Sequence, residues 1–151
     1  MKSLIIALAT LGPVGYLPAS GTIASAFTIP LIYSVYAQPV CVWEQFAIIA
    51  SLSVIALLII QLTLEQFQRW DDPREIVLDE VVGMFIALCG IPLTPLSMLI
   101  GFFFFRVFDI LKPFGIRKLE CVGGALGILL DDMAAGLISC GLMHGIYWLI
   151  A

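Results

Sequence analysis

The longest apolar stretch in the chain covers residues 46–68, where Ile, Leu, Val and Ala are barely interrupted before Gln61 and Glu65. A run of that length exceeds the roughly 20 apolar residues that a helix needs to cross the hydrocarbon core of a bilayer. It ends in the sequence RWDDP, and Pro73 makes continuation of the helix unfavourable. A second helix is expected just after Pro73, running to about Cys89, where the turn sequence GIPLTP stops it. A third covers residues 97–111 and is stopped by Lys112 and Pro113. After a polar stretch containing Gly123 and Gly124, the last helix runs from about Leu126 towards Leu149.

The N-terminal part is less regular. Residues 3–11 are apolar but too short to cross, which suits a helix lying at, or re-entering, the membrane interface. Residues 12–25, rich in Gly, Pro, Ser and Thr, read as an irregular loop. The start imitates a signal peptide, but the breaks at Gly12, Pro13, Gly15 and Pro18 argue against cleavage. Residues 24–37 resume the apolar pattern and predict a helix kinked at Pro30, with Tyr36 and Trp43 near its far end as an aromatic belt. The expected fold is all-α: a polytopic membrane helix bundle, one domain over residues 1–151, with about four membrane-spanning helices plus a short N-terminal interfacial or re-entrant helix.

Composition supports this and narrows it. A 62% hydrophobic share and a mean hydropathy of +1.11 lie far above the values of soluble domains. A net charge of −4 with no basic stripe excludes nucleic acid as a partner. Only 12% of residues are charged, and most of them fall between Arg69 and Asp132. If residues 46–68 travel inward, 75–89 travel outward, 97–111 inward and 126–149 outward. Asp71, Asp72, Glu75, Asp79, Glu80, Asp109, Asp131 and Asp132 then all reach the same membrane face. The short loops on that face hold Arg69, Arg74, Lys112, Arg117 and Lys118, whereas the opposite loops hold no Lys or Arg, so the acidic face is expected to be cytoplasmic.

Asp79 and Glu80 stand side by side at the start of a helix entering an apolar slab, and Asp131 and Asp132 form a second pair between GILL and MAAG. Carboxylates in such surroundings need a partner to offset the loss of water. Two pairs on different helices suit Mg²⁺, a hard cation that takes oxygen ligands and retains water positions for a substrate phosphate. Structural pairing with Arg106, Arg117 or Lys118 would neutralise them equally. Arg106, Asp109 and Lys112 recur at intervals of three and line one side of a helix end. They can grip a phosphate, or form an internal Arg106–Asp109 salt bridge with Lys112 snorkelling to the interface. Gly21 and Thr22, in SGTIAS before a helix, can present N–H and hydroxyl groups to an anion or merely cap the helix. Cys41, Cys89, Cys121 and Cys140 lack metal-ligand spacing and read as packing residues, although a Cys41–Cys89 bridge stays open. His144, the sole histidine, lies towards the far end of the last helix and reads as a packing or hydrogen-bonding residue.

Three ordered blocks together resemble the phosphatidylglycerophosphatase A family. They are DDPREIVLDEVVG, through Asp72, Pro73, Ile76, Val77, Asp79, Glu80 and Gly83; FRVFDILKP, from Phe105 to Pro113; and GGALGILLDDMAAG, from Gly123 to Gly136. The likeness reaches the N-terminal loop through Gly21, Thr22 and Ser25. Ser20, Ala24 and Val122 depart from the family pattern. Membership implies Mg²⁺-dependent hydrolysis of phosphatidylglycerophosphate to phosphatidylglycerol and inorganic phosphate at the inner face of a bacterial inner membrane.

A single histidine cannot serve a phosphohistidine route, and the chain has neither DxDxT nor a Cys-x5-Arg thiolate signature. Metal-activated water is the remaining route. The expected assignment gives Asp79, Glu80, Asp131 and Asp132, with Asp72, to the metal. Asp109 joins the catalytic group, and Lys112, Arg106, Thr22 and Gly21 bind the phosphate. The rival from another class is a small ion or proton transporter, which predicts carboxylates strung through the membrane depth. A phospholipid-forming transferase with an acidic metal cluster is a second enzymatic rival, and a purely structural membrane subunit is the blandest reading.

Overall fold

The computed structural model describes residues 2–36, 40–68, 73–120 and 122–150, and among these every regular element is helical. In chain order they are α1 (Lys2–Ala9), a 3₁₀ turn (Val14–Tyr16), α2 (Ser20–Tyr36), α3 (Val42–Phe67) and α4 (Leu78–Ala87). There follow α5 (Pro95–Leu111), a second 3₁₀ turn (Pro113–Gly115), α6 (Arg117–Glu120) and α7 (Gly124–Ile150).

Local chemistry sets most of the ends. The Cys41 N–H donates to Glu44 Oε2 at 2.7 Å, so α3 starts four residues before its expected apolar run. Thr94 caps α5 by accepting from the Ser97 N–H at 3.1 Å, with Pro95 in the first turn. The same helix closes on Lys112 in a left-handed conformation (φ 45°), directly before Pro113.

Two expectations about helix extent change. The segment 12–25 is not all loop, because α2 already begins at Ser20 and takes Gly21 and Thr22 into its first turn. Ser25 and Thr28 fit there because their hydroxyls donate to the Gly21 and Ala24 carbonyls one turn back, at 2.7 and 2.8 Å. The helix expected from just after Pro73 starts only at Leu78. Residues 73–77 instead form a turn, with Ile76 N–H donating to the Pro73 carbonyl at 2.9 Å and Val77 N–H to the Ala9 carbonyl at the end of α1 at 3.0 Å. The short α6 is an element that the apolar pattern did not announce.

Helices α3 and α7 are long and apolar enough to cross a membrane. Helix α4, with ten residues, is about 15 Å long and cannot do so alone. It is instead the centre of the molecule: Asp79 and every residue from Val81 to Ala87 are buried, packed by α7, α2, α3 and α5. Phe85 lies at its heart, edge-on to Tyr36 of α2. Small residues permit the closest crossing, since a Cβ on Gly136 of α7 would stand 2.5 Å from the Gly83 carbonyl of α4. Large apolar side chains remain exposed on the outside, among them Phe27 and Leu31 of α2 and Phe103, Ile110 and Leu111 of α5. That is the surface of a membrane-associated protein rather than of a soluble monomer.

Candidate metal centre

The α4–α7 crossing determines the chemistry at one end of the bundle. Asp79 and Glu80 occupy the first turn of α4, and Asp132 faces them from α7. A carboxylate oxygen from each of the three lies within 4.8 Å of the others. Asp79 and Asp132 are 6% and 3% exposed, so water can do little to separate these like charges.

The other charged residues pair around this group. Arg106 Nη1 meets Asp109 Oδ2 at 2.7 Å within α5 and reaches Ser25 Oγ of α2 at 3.5 Å. Lys112 Nζ binds Asp131 Oδ2, while Asp131 Oδ1 accepts the Asp132 N–H at 3.1 Å. Asp131 is thus engaged by Lys112 and stands outside the close group of three. Asp72, expected as a fifth metal ligand, lies outside the described residues, as do Asp71 and Arg69.

The first turn of α2 closes over the group. A Cβ on Gly21 would collide with the Glu80 carboxylate and approach Arg106 Nη1 to 3.2 Å. Gly21 and Thr22 therefore line the same cleft as the carboxylates, a cavity of about 1010 Å³ that also takes in Asp109, Lys112 and Asp131. Its outer rim adds Ser20 of the SGTIAS segment, Arg74, expected only as a basic loop residue of that face, and Tyr16 and Leu17, which were missed in the sequence. The signal for that rim was faint, a Gly- and Pro-rich stretch that had to fold back onto residues 73–77.

The donor set fits a cation. Glu80 Oε2 and Asp132 Oδ2 are buried and have no hydrogen-bond partner among the described residues, an expensive condition for carboxylate oxygens unless a metal or protons fill it. All three groups offer hard oxygen ligands of the kind that Mg²⁺ takes. At the opposite end, His144 Nε2 lies 3.0 Å from the Cys89 carbonyl, consistent with a local hydrogen-bonding role. Cys41, Cys89 and Cys140 are free thiols, so the Cys41–Cys89 bridge is not formed, and Cys121 lies outside the described residues.

These features define a helical, membrane-associated protein with a buried carboxylate centre able to hold a metal ion. The sequence profile of the family "Phosphatidylglycerophosphatase A" matches residues 7–147, and the chain belongs to that family. It is 31% identical to phosphatidylglycerophosphatase A of Escherichia coli K12 over 132 residues, which are 85% of this chain and 75% of that protein. Over 82 residues it is 43% identical to phosphatidylglycerophosphatase A of Haemophilus influenzae, covering 52% of this chain and 50% of the relative. A Bacteroides thetaiotaomicron protein, provisionally named a phosphatidylinositol-3-phosphatase, is 39% identical over 83 residues, covering 53% of this chain and 52% of the relative. The matches thus span about half the length of two of these relatives. No solved structure matches the chain.

Proposed function

We propose that the protein hydrolyses phosphatidylglycerophosphate to phosphatidylglycerol and inorganic phosphate, using Mg²⁺ held by Asp79, Glu80 and Asp132. The observation that carries this reading is the pair of buried carboxylate oxygens, Glu80 Oε2 and Asp132 Oδ2, left without a protein donor inside a large cleft. When bound there, a divalent ion supplies Lewis-acid charge neutralisation at the phosphoryl group and makes water a competent nucleophile near neutral pH.

The protein's own side chains do the rest. Arg106 and Lys112 bring positive charge to the cleft wall for the phosphoryl oxygens, and their carboxylate partners Asp109 and Asp131 hold them in place. The first turn of α2, with Gly21 and Thr22 on the cleft lining, would offer N–H groups and a hydroxyl to an anion there. Asp72 would complete the ligand set from the segment before Pro73. In the reaction water oxygen joins phosphorus, the bond from phosphorus to the terminal glycerol oxygen breaks, and that oxygen leaves as a hydroxyl, gaining a proton in place of the one that the water gives up.

In this reading α2 and α5, each of 17 residues or about 25 Å, cross the bilayer alongside α3 and α7, giving four spans around the buried α4. The protein is placed in a bacterial inner membrane with its cleft at the cytoplasmic face, supported by Arg74, Lys112, Arg117 and Lys118 at that end. Acyl chains stay in the bilayer while the head group enters the cleft. Transport is disfavoured because the buried carboxylates among the described residues gather at one end instead of stepping through the membrane.

Phosphate release from phosphatidylglycerophosphate by the purified protein tests the proposal. Activity is expected with Mg²⁺, and it should vanish with chelator and in Asp132→Asn. Release that is indifferent to both treatments would reject the metal assignment, and no release under any condition would reject the substrate.

A further inference from the structure

The acidic cleft has a cation that the proposed hydrolysis does not use. Arg106 and Lys112 are committed to Asp109 and Asp131 on the inner wall. Arg74 lines the same cleft, is exposed, and forms no ion pair among the described residues. Glu75 beside it also lines the cleft, half-buried, and is not paired with it.

The backbone that carries Arg74 is pinned. Ser20 Oγ donates to the Arg74 carbonyl at 2.8 Å, and the flanking turn is tied through Ile76 to Pro73 and through Val77 to Ala9. Gly15 packs so closely on the Glu75 carbonyl that a Cβ there would overlap it. A guanidinium with an uncommitted head on a fixed support can bind an anion without first ordering its backbone.

Tyr16 and Leu17 stand on the same rim, 63% and 45% exposed. Aromatic, apolar and cationic side chains together are the composition of a membrane interface at head-group level. The carboxylate centre is buried, so the cleft runs from an exposed mouth, where Arg74 stands beside Glu75, Tyr16 and Leu17, to an anionic floor.

We propose that Arg74 holds the phosphodiester of a lipid whose second, terminal phosphomonoester reaches Asp79, Glu80 and Asp132. This rests on reading the cleft as a lipid phosphomonoesterase site. A cleft of about 1010 Å³ is at the upper end of small-molecule sites and has room for two phosphates and the glycerol between them. The two non-bridging oxygens of a diester match the fork of a guanidinium. Such a mouth favours a lipid with both phosphates over one whose only phosphate is the monoester.

The two reaction products separate the two subsites, since phosphatidylglycerol keeps the diester and inorganic phosphate resembles the monoester. Product inhibition is measured on the full-length protein in detergent micelles for wild type, Arg74→Gln and Arg74→Lys. In Arg74→Gln the inhibition constant for phosphatidylglycerol should rise about tenfold, the scale of one charge-assisted hydrogen bond. Arg74→Lys should recover part of this, and the constant for inorganic phosphate should stay at the wild-type value. The proposal is overturned if both constants shift together, if neither shifts, or if phosphatidylglycerol does not inhibit the wild type. A wild type that releases no phosphate overturns the parent function as well, whereas an active wild type with unmoved phosphatidylglycerol inhibition overturns only the role of Arg74.

Discussion

Gly21 lies so close to Glu80 that a methyl group on its Cα would strike the Glu80 carboxylate. The obstacle is the end of a flexible side chain, so the helix can accept alanine while the carboxylate swings away. Alanine also favours an α-helix over glycine by about 1 kcal/mol. Gly21→Ala should therefore leave the thermal midpoint unchanged or raised, yet lower kcat/KM about 100-fold, the scale of an ångström-sized misplacement of a reacting group. Differential scanning fluorimetry beside phosphate release checks both halves. A drop in stability with activity intact would contradict the assignment of Glu80.

Gly136 gives the opposite case. A Cβ there meets the Gly83 carbonyl at 2.5 Å and Ile86 Cβ at 3.1 Å, and backbone cannot step aside as a carboxylate can. Gly136→Ala should force α7 away from α4 and destabilise the fold by roughly 1–3 kcal/mol, as overpacking does. The same shift draws Asp132 from Asp79 and Glu80, so activity should fall with stability. An unchanged unfolding midpoint in detergent would show that the two helices cross with room to spare.

Lys112 and Asp131 form a pair whose side chains are only 16% and 4% exposed. Removing one partner leaves the other charge buried, which typically destabilises by about 3–5 kcal/mol. Lys112→Met should lower the unfolding midpoint substantially, and Asp131→Leu in that background should restore part of the loss. If the single and double variants unfold alike, the pair has no structural role, and Asp131 returns as a candidate metal ligand.

These expectations also mark what the sequence could reveal. The helices α3, α5 and α7 were legible because long apolar runs end at Pro or Gly punctuation, and helix order alone brought the acidic residues to one end. The short α4 was harder, since an apolar run reads the same whether lipid or protein surrounds it. The start of α2 was hidden because Gly, Ser and Thr signal loops unless their hydroxyls find carbonyls one turn back, as Ser25 and Thr28 do. Dividing the DD pair needed helix rotation: neighbours on a helix point about 100° apart, so Asp132 faces α4 while Asp131 faces Lys112. The Arg74 rim depended on a fold-back of the N-terminal segment that no local pattern encodes.

The claim beneath all of this is that Asp79, Glu80 and Asp132 act as one cation site. Mn²⁺ is a spectroscopic stand-in for Mg²⁺, and its binding to the purified protein can be followed by electron paramagnetic resonance without reference to turnover. Wild type should bind Mn²⁺ saturably and lose it to excess Mg²⁺, and Glu80→Gln and Asp132→Asn should each weaken binding by at least about 100-fold, beyond the range of indirect ligand effects. Equal Mn²⁺ affinity in wild type and both variants would contradict the account.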